Sequence, residues 1–184
     1  IPTEDFMSIL KEKARAEFHD CIDSLEEEPL AAASVGQVHR GRLKSGEEVV
    51  VKVVKADHKR RFQKDVKRLM RLMRVSIAFS PKLRKVGNPV SLLRHVEDYT
   101  TRELDLRNEI KGGEDLKSIQ DRLQVSFPMP KLRFPQYYPE LSNEHVLVSE
   151  FVRGKTLEEC ITQQDLGWEN LIELFYMLQL GTRY

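Results

Sequence analysis

The chain has 184 residues, of which 40% are hydrophobic and 32% are charged. This length suits one domain of ordinary size or two small lobes, and the composition supports a buried core and argues against wholesale disorder. Thirty basic and 29 acidic residues leave a net charge of +1, which argues against a histone-like protein or one with an acidic tail. The two cysteines, Cys21 and Cys160, lack C-x-x-C spacing, so neither a disulfide framework nor a zinc site is predicted.

Apolar residues at helical spacing open the chain, and a valine-rich segment follows them. Acidic residues and Pro29 are predicted to end the first helix, and Lys44–Glu47 has the composition of a hairpin turn. The elements predicted here are a helix over 4–25, a small-residue stretch over 30–37 and strands over 38–43 and 48–54.

Long helices and then shorter elements are predicted in the rest of the chain. Pro89 suits the first turn of a helix, and Gly112-Gly113 is predicted to stop that helix, with Glu114–Leu123 as an extension after the break. Thr156 and Glu159 have the spacing of a capping box. The predicted elements are helices over 59–79, 89–111, 156–160 and 169–180 and strands over 131–134 and 144–151. Four or so strands with helices segregated on one side indicate an α+β lobe.

Lys52 is the first candidate for chemistry, because it interrupts the valine-rich strand. Side chains alternate faces along a strand, so Lys52 points away from the face of Val51 and Val53. A lysine that holds nucleotide phosphates on the third strand of a kinase-like lobe has this environment. The alternative is an exposed lysine on the solvent face of a strand.

A run of small residues precedes the strand over 38–43. Loops that cover nucleotide phosphates are usually rich in glycine, because only glycine lets backbone N–H groups approach so closely. Alanines permit a close approach but restrict φ, so this loop is expected to be stiffer and to hold phosphate in a different geometry. A tight packing turn is the alternative. The run is Ala31, Ala32, Ala33, Ser34, Val35, Gly36 and Gln37.

An acidic segment lies in the helix predicted over 89–111. Asp105 and Glu109 are four residues apart and are predicted to share a helix face, where like charges destabilise the helix slightly. Glu103 has the spacing to pair with Arg107, whereas Asp105 and Glu109 need a cation from elsewhere, for which Lys52 is a candidate. The alternative is an exposed acidic face.

Four segments occur together in one order and resemble the UbiB/ADCK family of atypical kinase-like proteins. They are 29–41 with the alanine loop, 49–53 around Lys52, 103–109 and 146–154. The resemblance covers residues 3 to 184, and the alanine loop that replaces a glycine-rich loop is peculiar to that family. It implies a protein-kinase-like N-terminal lobe, a small antiparallel sheet with helices, followed by the hinge and the first helices of the C-terminal lobe.

The resemblance also implies roles for individual residues. Ala31–Gln37 is similar to the family's nucleotide loop, and Lys52 matches its third-strand lysine. Glu109 is the best match for the helix C glutamate that pairs with this lysine. The family's Glu-x-Asp motif corresponds to Glu103 and Asp105. Glu150–Val152 falls at the hinge, and the backbone of Glu150 and Val152 is expected to bind adenine.

The UbiB/ADCK family is linked to ubiquinone (coenzyme Q) biosynthesis and related quinone or lipid metabolism in bacteria, mitochondria and plastids. Its members bind ATP and behave more like ATPases than ordinary protein kinases. The resemblance therefore implies ATP and Mg²⁺ as cofactors and quinone-biosynthesis proteins as partners. It implies a location in a mitochondrion, in a plastid or at the periphery of a bacterial inner membrane.

Some motifs of the family are expected outside this sequence. The Lys-x-Gly-Gln motif is expected before Ile1, and the catalytic loop and the metal-binding Asp-x-Gly are expected after the last helix. No catalytic residue or metal ligand is therefore predicted in this chain. Residues 1–152 are expected to form the N-terminal lobe, and residues 153–184 the hinge and the start of the C-terminal lobe.

Two short segments imitate other motifs and are rejected. Asp165–Asn170 has the spacing of kinase catalytic and metal residues, but those residues need two separate loops. Gly154-Lys155-Thr156 resembles the end of a P-loop, yet Ser149 stands where the first glycine belongs and Glu150 would repel phosphate.

Residues 55–74 contain nine Lys or Arg and two Asp, a local charge of about +7. A basic amphipathic helix can contact anionic lipid head groups, and a solvated face is the simpler interpretation. Nucleic acid is not predicted as a partner, because Phe62 alone among Phe, Tyr and Trp lies between the charges, and a base-stacking platform needs a series of aromatic residues. The alternative function is a non-catalytic pseudokinase scaffold or a membrane-surface adaptor that uses this helix.

Overall fold

The structure is a computed structural model of the chain. It describes residues 3–32, 36–79, 89–123, 128, 130, 132–163 and 167–182. The elements within these ranges are, in chain order, α1 (Thr3–Lys13), α2 (Ala16–Cys21), β1 (Ile22–Ala32), β2 (Gly36–Leu43), β3 (Glu48–Val54), α3 (Ala56–Phe79), α4 (Pro89–Glu103), α5 (Arg107–Leu123), a 3₁₀ turn (Pro139–Leu141), β4 (Val146–Glu150), α6 (Leu157–Thr162) and α7 (Trp168–Thr182).

The four strands form one antiparallel sheet in the order β1-β2-β3-β4. The predicted α+β class is therefore confirmed, but helices lie on both faces of the sheet and not on one side as predicted. β-branched valines favour the extended backbone of β3, and Gly46 closes the β2–β3 hairpin at a φ of 98°. β1 is an edge strand, and its register against β2 shifts at three places between Ile22 and Ala31.

One face of the sheet carries the main core. Val49, Val51 and Val53 are buried on this face because they alternate along β3. Helices α1 and α2 cover the valines with Phe6, Leu10 and Phe18, and β4 adds Val146 and Val148 to the same cluster. Burying each of these side chains contributes about 1.5–3 kcal/mol relative to exposure, so this face anchors the sheet.

The opposite face carries a second, smaller core under α5. Leu106 and Ile110 of α5 pack on Val54 of β3 and Leu147 of β4. Lys52 shares this face with Val54, two residues further along the strand. The second core thus holds α5 beside the strand lysine.

The single helix predicted over 4–25 is wrong in its middle, where Arg15 is extended between α1 and α2, and at its C-terminal end. The chain leaves the helix after Cys21, and β1 begins at Ile22. Ile22 pairs with Leu43 and Leu25 pairs with Gly41 across the sheet. The apolar residues that suggested a longer helix therefore belong to a strand, because pairing with β2 outweighs their local helical spacing.

The predicted stop at Gly112-Gly113 is also wrong, since α5 continues through both glycines to Leu123. The helical path breaks earlier, between α4 and α5, where Leu104 and Leu106 turn inward and are buried. Two glycines cost a helix about 1 kcal/mol each but do not forbid it. The packing of the two leucines decides where the chain turns.

The remaining elements follow their predictions to different degrees. Residues 132–134 are not in a strand, and an isolated bridge joins Tyr137 to Ser149 instead. The strand predicted over 144–151 is confirmed as the shorter β4. The capping box of Thr156 and Glu159 is present at the start of α6.

Several predictions fall outside the described residues. These concern Ala33, Ser34 and Val35 of the alanine loop, the loop that contains Pro81 and Gly87, Lys131, and Asp165 and Leu166 of the rejected kinase-like hexapeptide. Along the portions of the chain that the structure does describe, every helix is too short or too polar to cross a lipid bilayer.

Candidate functional site

An ion pair joins β3 to α5. The ammonium Nζ of Lys52 donates to Oε2 of Glu109 at 2.5 Å. Both side chains remain partly open to solvent, with 35% of Lys52 and 42% of Glu109 exposed. The structure therefore brings together two residues that lie 57 positions apart in the sequence, and it leaves their charges accessible to an approaching ligand.

Backbone hydrogen bonds fix the start of α5 over the sheet. The N–H of Leu106 donates to the carbonyl of Glu144 at 3.2 Å, and the N–H of Val54 donates to the carbonyl of His145 at 3.0 Å. Residues 144 and 145 directly precede β4. Both the helix and the strand of the ion pair are therefore tied to the same short segment.

Asp105 lies in the turn before α5, not on its face. Its Oδ1 accepts from the backbone N–H of Arg107 at 3.2 Å, an Asx turn. The Arg107 guanidinium also binds both carboxylate oxygens, at 2.9 and 2.7 Å, and Lys59 lies 3.9 Å away. Hydrogen bonds from Arg107 hold the pKa of Asp105 below its usual value, despite partial burial.

The expected pairing of Glu103 with Arg107 is therefore wrong. Four-residue spacing brings side chains together only in a continuous helix, and the chain breaks between these two residues. Arg107 pairs with Asp105 and also lies 3.5 Å from Glu144. Glu103 ends α4 with an exposed side chain. For the same reason Asp105 and Glu109 do not share a helix face.

The described parts of the alanine run belong to the β1–β2 hairpin. Ala31 pairs with Val38 and Ala32 pairs with Gln37, so the run flanks the hairpin tip. Val38 is the cross-strand partner of Lys52, so Ala31 lies in the same row of the sheet as the lysine. A Cβ on Gly36 would lie 2.7 Å from the carbonyl oxygen of Val53, so only glycine permits this close approach of the strands.

Glu150 and Val152 lie at the end of β4. The N–H of Glu150 donates to the carbonyl of Gln136 at 2.7 Å, and its carboxylate accepts from Arg133 and from the N–H of Gln136. Val152 is 49% exposed. The structure thus fixes the backbone at Glu150 and leaves the side chain of Val152 open.

The sequence analysis missed Glu48, which fastens the segment after β4 to the sheet. Its carboxylate accepts from Arg40 and from two nitrogens of Arg153, at 2.9 and 2.7 Å. Its backbone carbonyl accepts from the N–H of Phe151 at 3.0 Å. Hydrogen bonds from Arg153 and Arg40 lower the pKa of Glu48. The charge pattern of the sequence gives no sign of this arrangement.

Tyr137 was missed as well. Its ring packs against α5 at Gly113, and Gly113 inside a helix was the only signal for this contact. Beside it a cleft of about 550 Å³ separates α5 from residues 132–137. Burial and the nearby charge of Glu109 raise the pKa of Tyr137. Among the residues described, no three His, Cys, Asp or Glu side chains converge as a metal site.

Comparison with models of known families identifies the family of this chain. A family model described as the ABC1 atypical kinase-like domain matches residues 1–177. The chain belongs to this family. The matched residues include both Lys52 and Glu109, so the ion pair lies inside the ABC1 domain.

Curated relatives agree with this kinship. This chain is 33% identical over 164 residues to a protein of Pseudomonas aeruginosa described as a probable protein kinase UbiB. The alignment covers 89% of this chain. A Vibrio parahaemolyticus protein with the same description is 35% identical over 127 residues, 68% of this chain. The chain spans only 30% and 22% of the lengths of these relatives. The resemblance to the UbiB/ADCK family is confirmed.

A solved structure shares the fold of the ABC1 domain. It is the complex of Rv3197 with erythromycin from Mycobacterium tuberculosis, with a TM-score of 0.66 and 21% sequence identity. The match covers 88% of this chain and 38% of the solved chain. The kinase-like α+β architecture therefore holds over most of the described residues.

Proposed function

We propose that this chain is the ATP-binding lobe of a UbiB-type atypical kinase or ATPase. The observation that carries the proposal is the ion pair of Lys52 with Glu109, which joins the third strand to the helix packed beside it. An ammonium group on a rigid strand is a suitable point charge for phosphate oxygens. The partial exposure of both side chains supports access by a nucleotide.

Each part of the proposed site has a distinct task. Lys52 binds phosphate oxygens, and Glu109 orients its ammonium group. The small-residue segment 31–37 covers the phosphates, and the backbone of Glu150 and Val152 receives adenine. ATP supplies the phosphoryl group for transfer or hydrolysis, and Mg²⁺ neutralises its charge when bound.

The wider role is proposed from the family resemblance. Residues 1–152 form the N-terminal lobe, and residues 153–184 form the hinge and the start of the C-terminal lobe. Glu103 and Asp105 serve as the family's Glu-x-Asp motif. The protein supports ubiquinone or related quinone or lipid metabolism, with quinone-biosynthesis proteins as partners.

The test is nucleotide binding by the full-length gene product. Lys52→Ala is expected to weaken MgATP binding about 10- to 100-fold, because a hydrogen bond to a charged group contributes about 1.5–3 kcal/mol. Lys11→Ala removes the same charge from an exposed position on α1, which covers the opposite face of the sheet, and is expected to bind as the wild type. Equal affinity of wild type and Lys52→Ala in isothermal calorimetry would sink the proposal.

A second function is favoured by the surface of α3. This helix carries most of the basic segment, and it also exposes an apolar row of Leu72, Val75 and Phe79, which are 65%, 51% and 86% exposed. These positions share a helix face. Apolar side chains beside basic ones are typical of helices that lie on anionic membranes, so we propose membrane-surface attachment as the alternative role.

Vesicle sedimentation separates this role from nucleotide binding. The full-length product is expected to bind vesicles of phosphatidylcholine with phosphatidylglycerol more than phosphatidylcholine alone. Arg71→Gln/Arg74→Gln removes two exposed charges from α3 and is expected to reduce this binding. Lys11→Gln/Lys111→Gln is the matched control. Equal sedimentation of all three proteins would rule out α3 as the contact surface.

A further inference from the structure

The position of α5 decides whether Glu109 reaches Lys52. The small second core contributes Leu106 and Ile110 from this helix. Glu109 and Gly113 are four residues apart on α5, so they lie one turn apart on the same side of the helix. A side chain that packs against Gly113 therefore contacts α5 one helical turn away from the ion pair.

Tyr137 rests there. A Cβ on Gly113 would overlap Cε2 of Tyr137, and it would lie 2.8 Å from the hydroxyl oxygen and 2.9 Å from Cζ of the same ring. Real Cβ atoms do not approach so closely, so the tyrosine ring occupies the space of the missing side chain. The cost of glycine in a helix is about 1 kcal/mol, and this contact gives a physical reason for its presence.

Pairing with β4 holds the backbone of Tyr137 in place. Tyr137 forms an antiparallel bridge with Ser149. On either side of it, the carbonyl of Gln136 accepts from the N–H of Glu150 at 2.7 Å, and the N–H of Tyr138 donates to the carbonyl of Val148 at 3.0 Å. Since the backbone of Tyr137 is part of the sheet, a group added at Gly113 would displace the helix or the ring.

We propose that Tyr137, seated against Gly113, is a positioning residue that holds Glu109 at the strand lysine. It sets the spacing between α5 and the sheet, and it acts on nucleotide only through the ion pair. This inference rests on the proposed function for its effect on ATP, but its effect on α5 stands on the packing alone. Burial, followed by the nearby charge of Glu109, raises the pKa of Tyr137, which agrees with this placement.

The chain offers a matched pair of glycines for the test. Gly112→Ala and Gly113→Ala make the same change at adjacent positions of one helix. Outside the helix's own backbone, no heavy atom of the described residues lies within 4 Å of a Cβ at Gly112. We expect Gly113→Ala to weaken MgATP binding by the full-length product about tenfold, and Gly112→Ala to bind as the wild type. Tyr137→Leu removes the ring atoms that the new methyl group meets, so it should restore part of the affinity in Gly113→Ala.

A variant that lacks the ion pair shows whether Gly113→Ala acts by displacing Glu109 or by destabilising the fold in general. In Glu109→Gln, the further change Gly113→Ala should leave MgATP affinity unchanged, because no ion pair is left to displace. Wild-type affinity in Gly113→Ala would overturn the proposal. So would an equal fold-loss with and without the glutamate.

Hydrogen exchange without nucleotide keeps the inference testable if the proposed function fails. Should the wild type not bind MgATP, the ATP-binding assignment falls, and the exchange of α5 amides then judges the positioning role. Faster exchange in Gly113→Ala than in Gly112→Ala supports the seat at Tyr137. Equal exchange in the two variants overturns it.

Discussion

Replacing Lys52 with methionine distinguishes a lysine that serves a ligand from one that serves the fold. The ion pair with Glu109 is partly open to solvent, with 35% and 42% of the two side chains exposed. Pairs of this kind contribute about 0–1 kcal/mol to stability because water screens them. Methionine replaces the aliphatic part of the lysine and removes only the ammonium group, so Lys52→Met should lower the free energy of unfolding by at most about 1 kcal/mol.

Leu106→Ala gives the scale for comparison. Leu106 is 2% exposed in the small core that seats α5, and truncating a buried leucine costs about 2–5 kcal/mol. Urea unfolding of the protein without nucleotide, analysed at matched m values, measures both variants. If Lys52→Met loses as much stability as Leu106→Ala, the lysine is structural and the reasoning that reserves it for phosphate is refuted.

Three further changes test the geometry. The pKa of Asp105 is lowered in the folded protein, so its carboxylate adds stability above the unfolded pKa of about 3.9, and this stability is lost as the pH falls through the folded value. Asp105→Asn should therefore reduce the drop of the urea midpoint at acid pH. Asp98→Asn, at an exposed position of α4, is the control. Gly36→Ala places a Cβ 2.7 Å from a β3 carbonyl and should lower the melting temperature, at a cost of about 1–3 kcal/mol. Ser142→Ala removes the acceptor of the Val148 N–H, 2.9 Å away in the core, and should cost about 1–3 kcal/mol in urea unfolding; an unchanged midpoint would contradict it.

The strand lysine and its strand could be predicted because both rest on local pattern. The valines of β3 alternate around Lys52, and a single buried face follows from that alternation. Its contact with Glu109 depends on a distant helix. The acidic spacing made Lys52 a candidate cation for both Asp105 and Glu109, and only the family resemblance singled out Glu109. The nucleotide role of either residue stays a prediction.

The sequence did not predict the ends of those helices whose boundaries depend on tertiary contacts. Ile22–Leu25 has an apolar spacing that also fits a helix, and pairing with β2 makes it a strand. Gly112-Gly113 is a usual stop signal, yet α5 continues through both glycines, and the ring of Tyr137 occupies the space beside Gly113. The arginines around Glu48 come from β2 and from the segment after β4. Because these segments are far apart in the sequence, no local pattern predicts the contact.

The irregular edge strand β1 bears on how the molecule behaves among its own copies. An open sheet edge presents backbone groups that can recruit a strand from another molecule. In β1, three consecutive glutamates at 26–28 precede Pro29, and the ladder shifts register on both sides of the proline. Proline offers no N–H, and the acidic run repels a like-charged neighbour. The glutamates and the proline suggested the end of a helix in the sequence. In the fold they protect this edge of the sheet against strand-to-strand polymerisation at high protein concentration.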